Sequence, residues 1–201
     1  MRIDRLTVSN FKGVAERELS FHPEMNLVVG ENGSGKTSVL EALSVAVGSW
    51  FLGLRGYDSR HIHQDDVRLK GFDTGDGMHW ERQFPCHVEA SGQVSDQLLT
   101  WKRSLSTPDG RTTYVDARDV KDLAARADQA VRDGGHVTLP LISYYSTGRL
   151  WNVPREQARV NGADQIKGKA SLSRLEAYRN SVDPRLSVSA FVEWIAREAW
   201  R

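Results

Sequence analysis

This 201-residue chain has a single cysteine, no long apolar run and no large excess of charge of either sign. Cys86 is the only cysteine, so no disulfide can form within the chain, and we expect a reducing compartment. The N-terminus, Met1-Arg2-Ile3-Asp4-Arg5, has no apolar signal core, and glycines and Glu41 interrupt the most apolar window, 39–54. The formal net charge of +1 does not support a polybasic nucleic-acid binder. We therefore expect a globular cytoplasmic protein that does not enter the membrane.

One stretch of the sequence, Gly30-Glu31-Asn32-Gly33-Ser34-Gly35-Lys36-Thr37, fits the phosphate-binding loop pattern G-x-x-x-x-G-K-[ST]. Glycines let successive backbone N–H groups turn towards the phosphates of a nucleotide. The lysine reaches the β- and γ-phosphates, and the threonine hydroxyl ligates Mg²⁺. An apolar run of strand length, Met25–Val29, precedes the loop, and helical spacing of apolar residues follows it up to Gly48. The pattern therefore predicts an ATP–Mg²⁺ site.

The predicted roles within this motif differ from residue to residue. Lys36 is the candidate catalytic cation, and Thr37 is the candidate metal ligand. The residues predicted to bind the nucleotide are Gly30, Asn32, Gly33, Ser34, Gly35, Lys36, Thr37 and Ser38.

The order of elements predicts an α/β fold, in which a mixed sheet surrounds the phosphate loop and an antiparallel β-subdomain lies beside it. Two short strands precede the strand that leads into the loop. The predicted strands are Ile3–Val8, Arg17–Phe21, Met25–Val29, 78–88, 97–106, 112–115 and 137–145, and the later helices are Asp116–Arg132 and one beginning at Ser187. Residues 53–77 are predicted to form a long loop.

A Walker B strand, four apolar residues followed by an acid, is missing from the sequence. The nearest match, Thr112-Thr113-Tyr114-Val115-Asp116, begins with two polar residues. The Asn-Lys-x-Asp motif that reads guanine is also absent, which disfavours an ordinary GTPase. We therefore expect little hydrolysis of ATP by this chain alone.

Two segments, 3–14 and 28–43, resemble the N-terminus of ABC-type ATPases of the SMC/RecF group. They carry an Asn-Phe-Lys turn ahead of the two strands and the Gly-x-Asn-Gly-x-Gly-Lys loop. The segment Leu139–Trp151, with weaker support from 173–178 and 191–194, resembles bacterial AAA-family ATP-binding proteins described as involved in virulence, whose relatives occur in Septu- and OLD-type phage defence.

This resemblance implies that residues 1–201 are the N-terminal nucleotide-binding lobe of a split ATPase domain. The signature motif and the Walker B acid would then come from a C-terminal lobe that this chain lacks. In the complete protein, two ATP sites would face each other in a homodimer, and the work would concern DNA or phage defence, with DNA as a candidate partner. Lys12 matches a basic residue near the nucleotide, and Gln64 matches a Q-loop glutamine that senses the γ-phosphate through Mg²⁺ or water.

Alternatives remain open at this level. Lys12 would otherwise be a solvated turn lysine, and Gln64 an ordinary polar loop residue, with Asp65 or Asp66 as substitutes in its role. His61 and His63 lack further ligands at metal spacing, which favours a solvated pair. Arg149 is either a phosphate-binding or interface arginine or a surface residue. The competing functions are a complete small P-loop kinase and a non-hydrolysing, nucleotide-gated interaction module.

Overall fold

A computed structural model describes residues 1–145, 173–178 and 181 of the chain. It contains two compact units, Met1–Arg126 and Ala127–Arg201. Arg149, the segment 191–194 and the helix predicted from Ser187 lie outside the described residues, as does the second half of Leu139–Trp151.

Six strands and two α-helices make up the regular structure of the described part, together with short 3₁₀ turns. In chain order the elements are β1 (Arg2–Phe11), β2 (Val14–Ser20), α1 (Lys36–Val47), β3 (Leu69–Asp73), β4 (Met78–Arg82), β5 (Cys86–Val94), β6 (Gln97–Leu105) and α2 (Arg118–Arg132). Four strands form one sheet in the order β2-β1-β5-β6, and β3 pairs with β4 in a separate hairpin. Every pairing is antiparallel.

The core of the first unit lies between one face of the four-stranded sheet and helix α1. Alternate residues of β5 are buried, as expected for a strand with one face in the core. Trp101 of β6 is 2% exposed, and its indole Nε1 donates to the carbonyl oxygen of Ala46 at 3.0 Å, which attaches the end of α1 to the sheet. Trp50 and Phe51, in the 3₁₀ turn Gly48–Gly53 after α1, are each 1% exposed. Each such large side chain contributes roughly 2–3 kcal/mol of hydrophobic stabilisation.

Helix α2 lies close to the 3₁₀ turn that follows α1. A Cβ atom at Gly53 would lie 2.1 Å from the carbonyl oxygen of Lys121 and 2.7 Å from Cβ of Ala124. Only glycine permits this approach of one backbone to the other. Val120 and Ala124 of α2 are fully buried, which agrees with the apolar stripe predicted from the sequence.

The predictions for β1, β2, β6 and α2 are confirmed within a few residues, and the predicted strand 78–88 is two strands, β4 and β5. The predicted loop 53–77 contains β3, because the short strand pairs with β4 across the tip Thr74–Gly77. Three predicted strands are wrong: Met25–Val29, 112–115 and 137–145 have no ladder. A strand needs a neighbour for its backbone groups, and apolar composition alone does not supply one. The described strands are all antiparallel, so the mixed sheet around the loop stays a prediction.

In the second unit, the chain after α2 pairs with no strand among the described residues and is fixed by hydrogen bonds. Arg174 donates to the carbonyl oxygens of Gly135 at 2.8 Å and Val137 at 3.0 Å. The hydroxyl of Tyr178 donates to the carbonyl oxygen of Pro140. Among the described residues, none of the helices is both long and apolar enough to span a bilayer.

Candidate functional site

The glycines of the loop 30–37 hold a backbone conformation that other residues rarely adopt. Gly33 has φ 84° and Gly35 has φ 88°, both in the left-handed region. The N–H of Ser34 donates to the carbonyl oxygen of Glu31 at 3.2 Å, which closes a tight turn at the centre of the loop. Gly30 to Ser34 are exposed. The sequence therefore produces an open, curled loop at the entrance to α1.

Helix α1 begins at Lys36, and Gly35 is its N-cap. No side chain among the described residues caps this end, and the first turn contains no acid. The first N–H groups of a helix lack partners within it and carry a partial positive charge. The start of α1 is therefore suited to an anion such as phosphate. Thr37 is exposed there and Ser38 is half-buried, and their contacts with a nucleotide or Mg²⁺ stay predictions.

The ammonium group of Lys36 lies over the loop. Its Nζ atom donates to the carbonyl oxygens of Gly30 and Glu31, each at 2.7 Å. These are neutral acceptors, so an anionic phosphate oxygen would be a stronger partner for the same cation. The structure thus brings Lys36, the glycines and the start of α1 together as the sequence predicted, whereas contact with a nucleotide stays a prediction.

The segment before the loop, Met25–Val29, is apolar and open to solvent. Met25 is 77% exposed, Leu27 78% and Val29 76%. Asn26 is held by His22, whose backbone N–H donates to its Oδ1 and whose carbonyl accepts from its Nδ2, both at 2.8 Å. One side of the candidate site is therefore an uncovered apolar strand-like segment.

The side chain of Lys12 forms ion pairs with two carboxylates in the structure. Its Nζ atom is 2.9 Å from Oε2 of Glu41, on α1, and 3.0 Å from Oδ1 of Asp66. Partial burial alone would lower the pKa of Lys12, but hydrogen bonds to Glu41 and Asp66 outweigh it and raise the pKa above its usual value. The alternative of a freely solvated turn lysine is wrong, and contact between Lys12 and a phosphate stays a prediction.

Asp66 receives a second cation. Arg60 Nη2 lies 3.1 and 2.9 Å from its two carboxylate oxygens, and the N–H of His63 donates to Oδ2 at 2.9 Å. Glu41 and Arg60 were missed by the sequence analysis, and Asp66 was considered only as a substitute for Gln64. Lys12 is far along the chain from both Glu41 and Asp66, whereas Arg60 and Asp66 are six residues apart in a loop without helical or strand spacing, so no local motif signals these pairings.

Gln64 is engaged elsewhere in the structure. Its side-chain amide donates to the carbonyl oxygen of Pro108, and its backbone carbonyl oxygen accepts from Nε of Arg82 at 3.1 Å. The neighbouring Asp65 has a side chain 94% exposed. Neither of these hydrogen bonds brings Gln64 to the phosphate loop, so its role towards Mg²⁺ or the γ-phosphate stays a prediction.

His61 contacts a buried arginine. Arg103 is fully buried on β6; its Nε donates to the carbonyl oxygen of Thr113 at 3.0 Å and its Nη1 to Oγ of Ser59 at 3.1 Å. Its Nη2 is 3.2 Å from Nδ1 of His61. Burial lowers the pKa of Arg103 to about 10, and partial burial together with Arg103 lowers the pKa of His61. His61 is therefore an acceptor for Arg103. Across residues 1–145, 173–178 and 181, no group of three or more histidine, cysteine or acidic residues is arranged to hold a metal ion.

Comparison with known proteins identifies the family and several relatives of this chain. The model of the AAA domain family matches residues 5–193. The chain is 33% identical over 123 residues to the DNA replication and repair protein RecF of Enterobacter sp. (strain 638), covering 56% of this chain and 34% of the relative. It is 35% identical over 100 residues to RecF of Magnetococcus marinus, covering 49% and 25%, and 39% identical over 118 residues to RecF of Shewanella baltica (strain OS155), covering 52% and 31%.

The chain therefore spans about a third of the length of the curated relatives it matches. The similarity to RecF supports an SMC/RecF-like N-terminal region, in agreement with the opening segments of the sequence. Because the family model covers nearly the whole sequence, this chain belongs to the AAA domain family.

Proposed function

We propose that the chain binds ATP with Mg²⁺ through the loop 30–37, as the nucleotide-binding lobe of an SMC/RecF-like ATPase. The observation that carries this proposal is the position of the Lys36 ammonium, 2.7 Å from two carbonyl oxygens of a loop that leads into an uncapped helix start. Cation, turned backbone and helix dipole all favour an anion at the same place.

The residues present suit the triphosphate and its metal ion. Gly33 and Gly35 supply backbone N–H groups to the phosphates, and Ser34 does so once its N–H leaves the carbonyl oxygen of Glu31. Lys36 likewise leaves its loop carbonyls for a phosphate oxygen. Thr37 offers its exposed hydroxyl to Mg²⁺. When bound, Mg²⁺ supplies neutralisation of the phosphate charge. Gln64 would have to leave Pro108 to join this site.

A second lobe is the partner that this proposal requires. The exposed strand-like segment Met25–Val29 leads directly into the loop, and its apolar side chains and backbone groups need a cover. A C-terminal lobe with further strands would supply that cover, and with it the signature motif and the Walker B acid. The relatives extend well beyond the matched region, which is consistent with such a lobe. Homodimerisation around ATP, and work on DNA or in phage defence, belong to the complete protein in this proposal.

The test is calorimetric titration of the chain with Mg²⁺ and a slowly hydrolysed ATP analogue. Lys36→Ala removes the cation that the phosphates need, and we expect it to weaken binding roughly 10- to 100-fold, the value of a charge-assisted hydrogen bond. The matched control is Lys102→Ala, which removes a lysine from the edge strand β6. This variant should bind the analogue as the parent does. Equal binding by the parent and Lys36→Ala would contradict the proposal.

A further inference from the structure

Four charged side chains form a compact cluster beside α1, and we call Lys12, Glu41, Arg60 and Asp66 the ion cluster. It contains two cations and two carboxylates, so its formal charge is zero. Lys12 bridges the two carboxylates at 2.9 and 3.0 Å, and Arg60 pairs with Asp66 at 2.9 Å. These contacts join the turn after β1, helix α1 and the residues before β3.

The cluster is held in place by the backbone as well as by charge. Lys12 has φ 52°, in the left-handed region, and its N–H donates to the carbonyl oxygen of Asp66 at 2.6 Å. The side chain of Asp66 is 3% exposed, whereas those of Lys12 and Glu41 are 30% and 23% exposed. If Lys12 is removed, Asp66 retains its ion pair with Arg60. Glu41 depends on Lys12 for the ion pair that the structure gives it.

Glu41 is close to the predicted phosphate site along the helix. It follows Lys36 by five residues, which corresponds to about 7.5 Å along the axis of α1. A unit charge at roughly 10 Å from a bound phosphate changes the affinity for that phosphate about two- to twentyfold, depending on the effective dielectric constant. An unneutralised carboxylate at Glu41 would therefore repel a nucleotide measurably.

We propose that Lys12 is the counter-ion of Glu41 and acts on nucleotide affinity by cancelling this negative charge, without touching the phosphates. This inference rests on the proposed ATP site, and it makes Lys12 a positioning residue whose effect passes through α1. It also accounts for a basic residue at this turn without giving it a phosphate contact.

Charge rescue tests the inference. Lys12→Met should weaken binding of the Mg²⁺–ATP analogue roughly fivefold, and the loss should shrink at high salt because the repulsion is screened. Adding Glu41→Gln to Lys12→Met should restore the affinity to within about twofold of the parent. Glu41→Gln alone should bind more tightly than the parent, since the charge of Lys12 is then uncompensated. Arg5→Met, which breaks the Arg5–Glu18 pair between β1 and β2, is the matched control and should leave affinity unchanged.

A direct phosphate contact gives a different pattern. If Lys12 binds phosphate, the double variant binds as weakly as Lys12→Met, and that result would overturn the inference. An unchanged affinity in Lys12→Met would overturn it as well. If circular dichroism shows that Lys12→Met does not fold, Glu41→Gln alone tests the inference. A weaker affinity of Glu41→Gln for the nucleotide would then overturn it. A parent chain that binds no nucleotide would remove the proposed function itself, whereas Lys36-dependent binding without charge rescue removes only this inference.

Discussion

Lys36 and Lys12 are two lysines near one helix, and the structure gives them different partners. Lys36 donates to neutral carbonyl oxygens of its own loop, which a phosphate can replace. Lys12 is held by carboxylates that no neutral group would displace. The placement of Lys36 at the loop could be predicted because the glycines, lysine and threonine are contiguous in sequence. The placement of Lys12 could not, since Glu41 and Asp66 meet Lys12 only after the chain has folded.

Cys86 offers a measurement at the scale of one residue. It is fully buried at the start of β5, and burial raises the pKa of its thiol to about 12. A thiol with this pKa carries almost no thiolate near neutral pH, so we expect no reaction with a thiol reagent in the native chain. Full labelling should follow unfolding in urea.

The control for this measurement is a surface cysteine introduced at exposed Ser95, in the turn between β5 and β6. With Cys86 retained, this variant should label one thiol rapidly and the second only in denaturant. Rapid labelling of Cys86 in the native parent would contradict the buried position of β5.

At the scale of elements, the sequence correctly predicts the strands and the helix whose apolar faces are buried within this chain. β5 alternates buried and half-buried residues, β6 does so from Trp101 to Leu105, and α2 has one apolar stripe, so period and burial agree. β3 was missed because its five residues include Lys70, Gly71 and Asp73 and its burial does not alternate. Its partner β4 and the turn between them determine it. Met25–Val29 failed for the opposite reason, because it has the composition of a strand but no neighbour among the described residues.

We expect the exposed segment Met25–Val29, which precedes the phosphate loop, to contribute little to the free energy of unfolding of this chain. Leu27 is 78% exposed, so Leu27→Ser should change the free energy of unfolding by less than about 0.5 kcal/mol. Val88→Ser, in the core of β5 at 1% exposure, should lower it by about 2 kcal/mol or more. Urea unfolding followed by tryptophan fluorescence measures both. A large loss in Leu27→Ser would mean that the segment packs within this chain.

At the scale of the whole molecule, the candidate phosphate-binding loop is formed within this chain, whereas its sequence has no recognisable Walker B acid. The phosphate loop and the ion cluster are formed by residues 12–66, and the four-stranded sheet supports them. An acid that could activate water or hold Mg²⁺ in the Walker B manner has no matching pattern in the sequence. Binding and hydrolysis are therefore separable properties, and the second depends on groups outside this chain in the proposed function.

Turnover separates the proposed function from its alternatives. We expect the chain alone to release phosphate from ATP no faster than Lys36→Ala does, because binding groups without a catalytic acid stabilise the ground state and the transition state about equally. Phosphate release measured with a coupled assay, with and without duplex DNA, checks this. Lys36→Ala serves as the control for contaminating ATPases. Release that is fast in the parent and lost in Lys36→Ala would contradict the split-domain proposal, since a complete site would then lie within these 201 residues. Consumption of ATP only after a small-molecule acceptor is added would favour the kinase alternative instead.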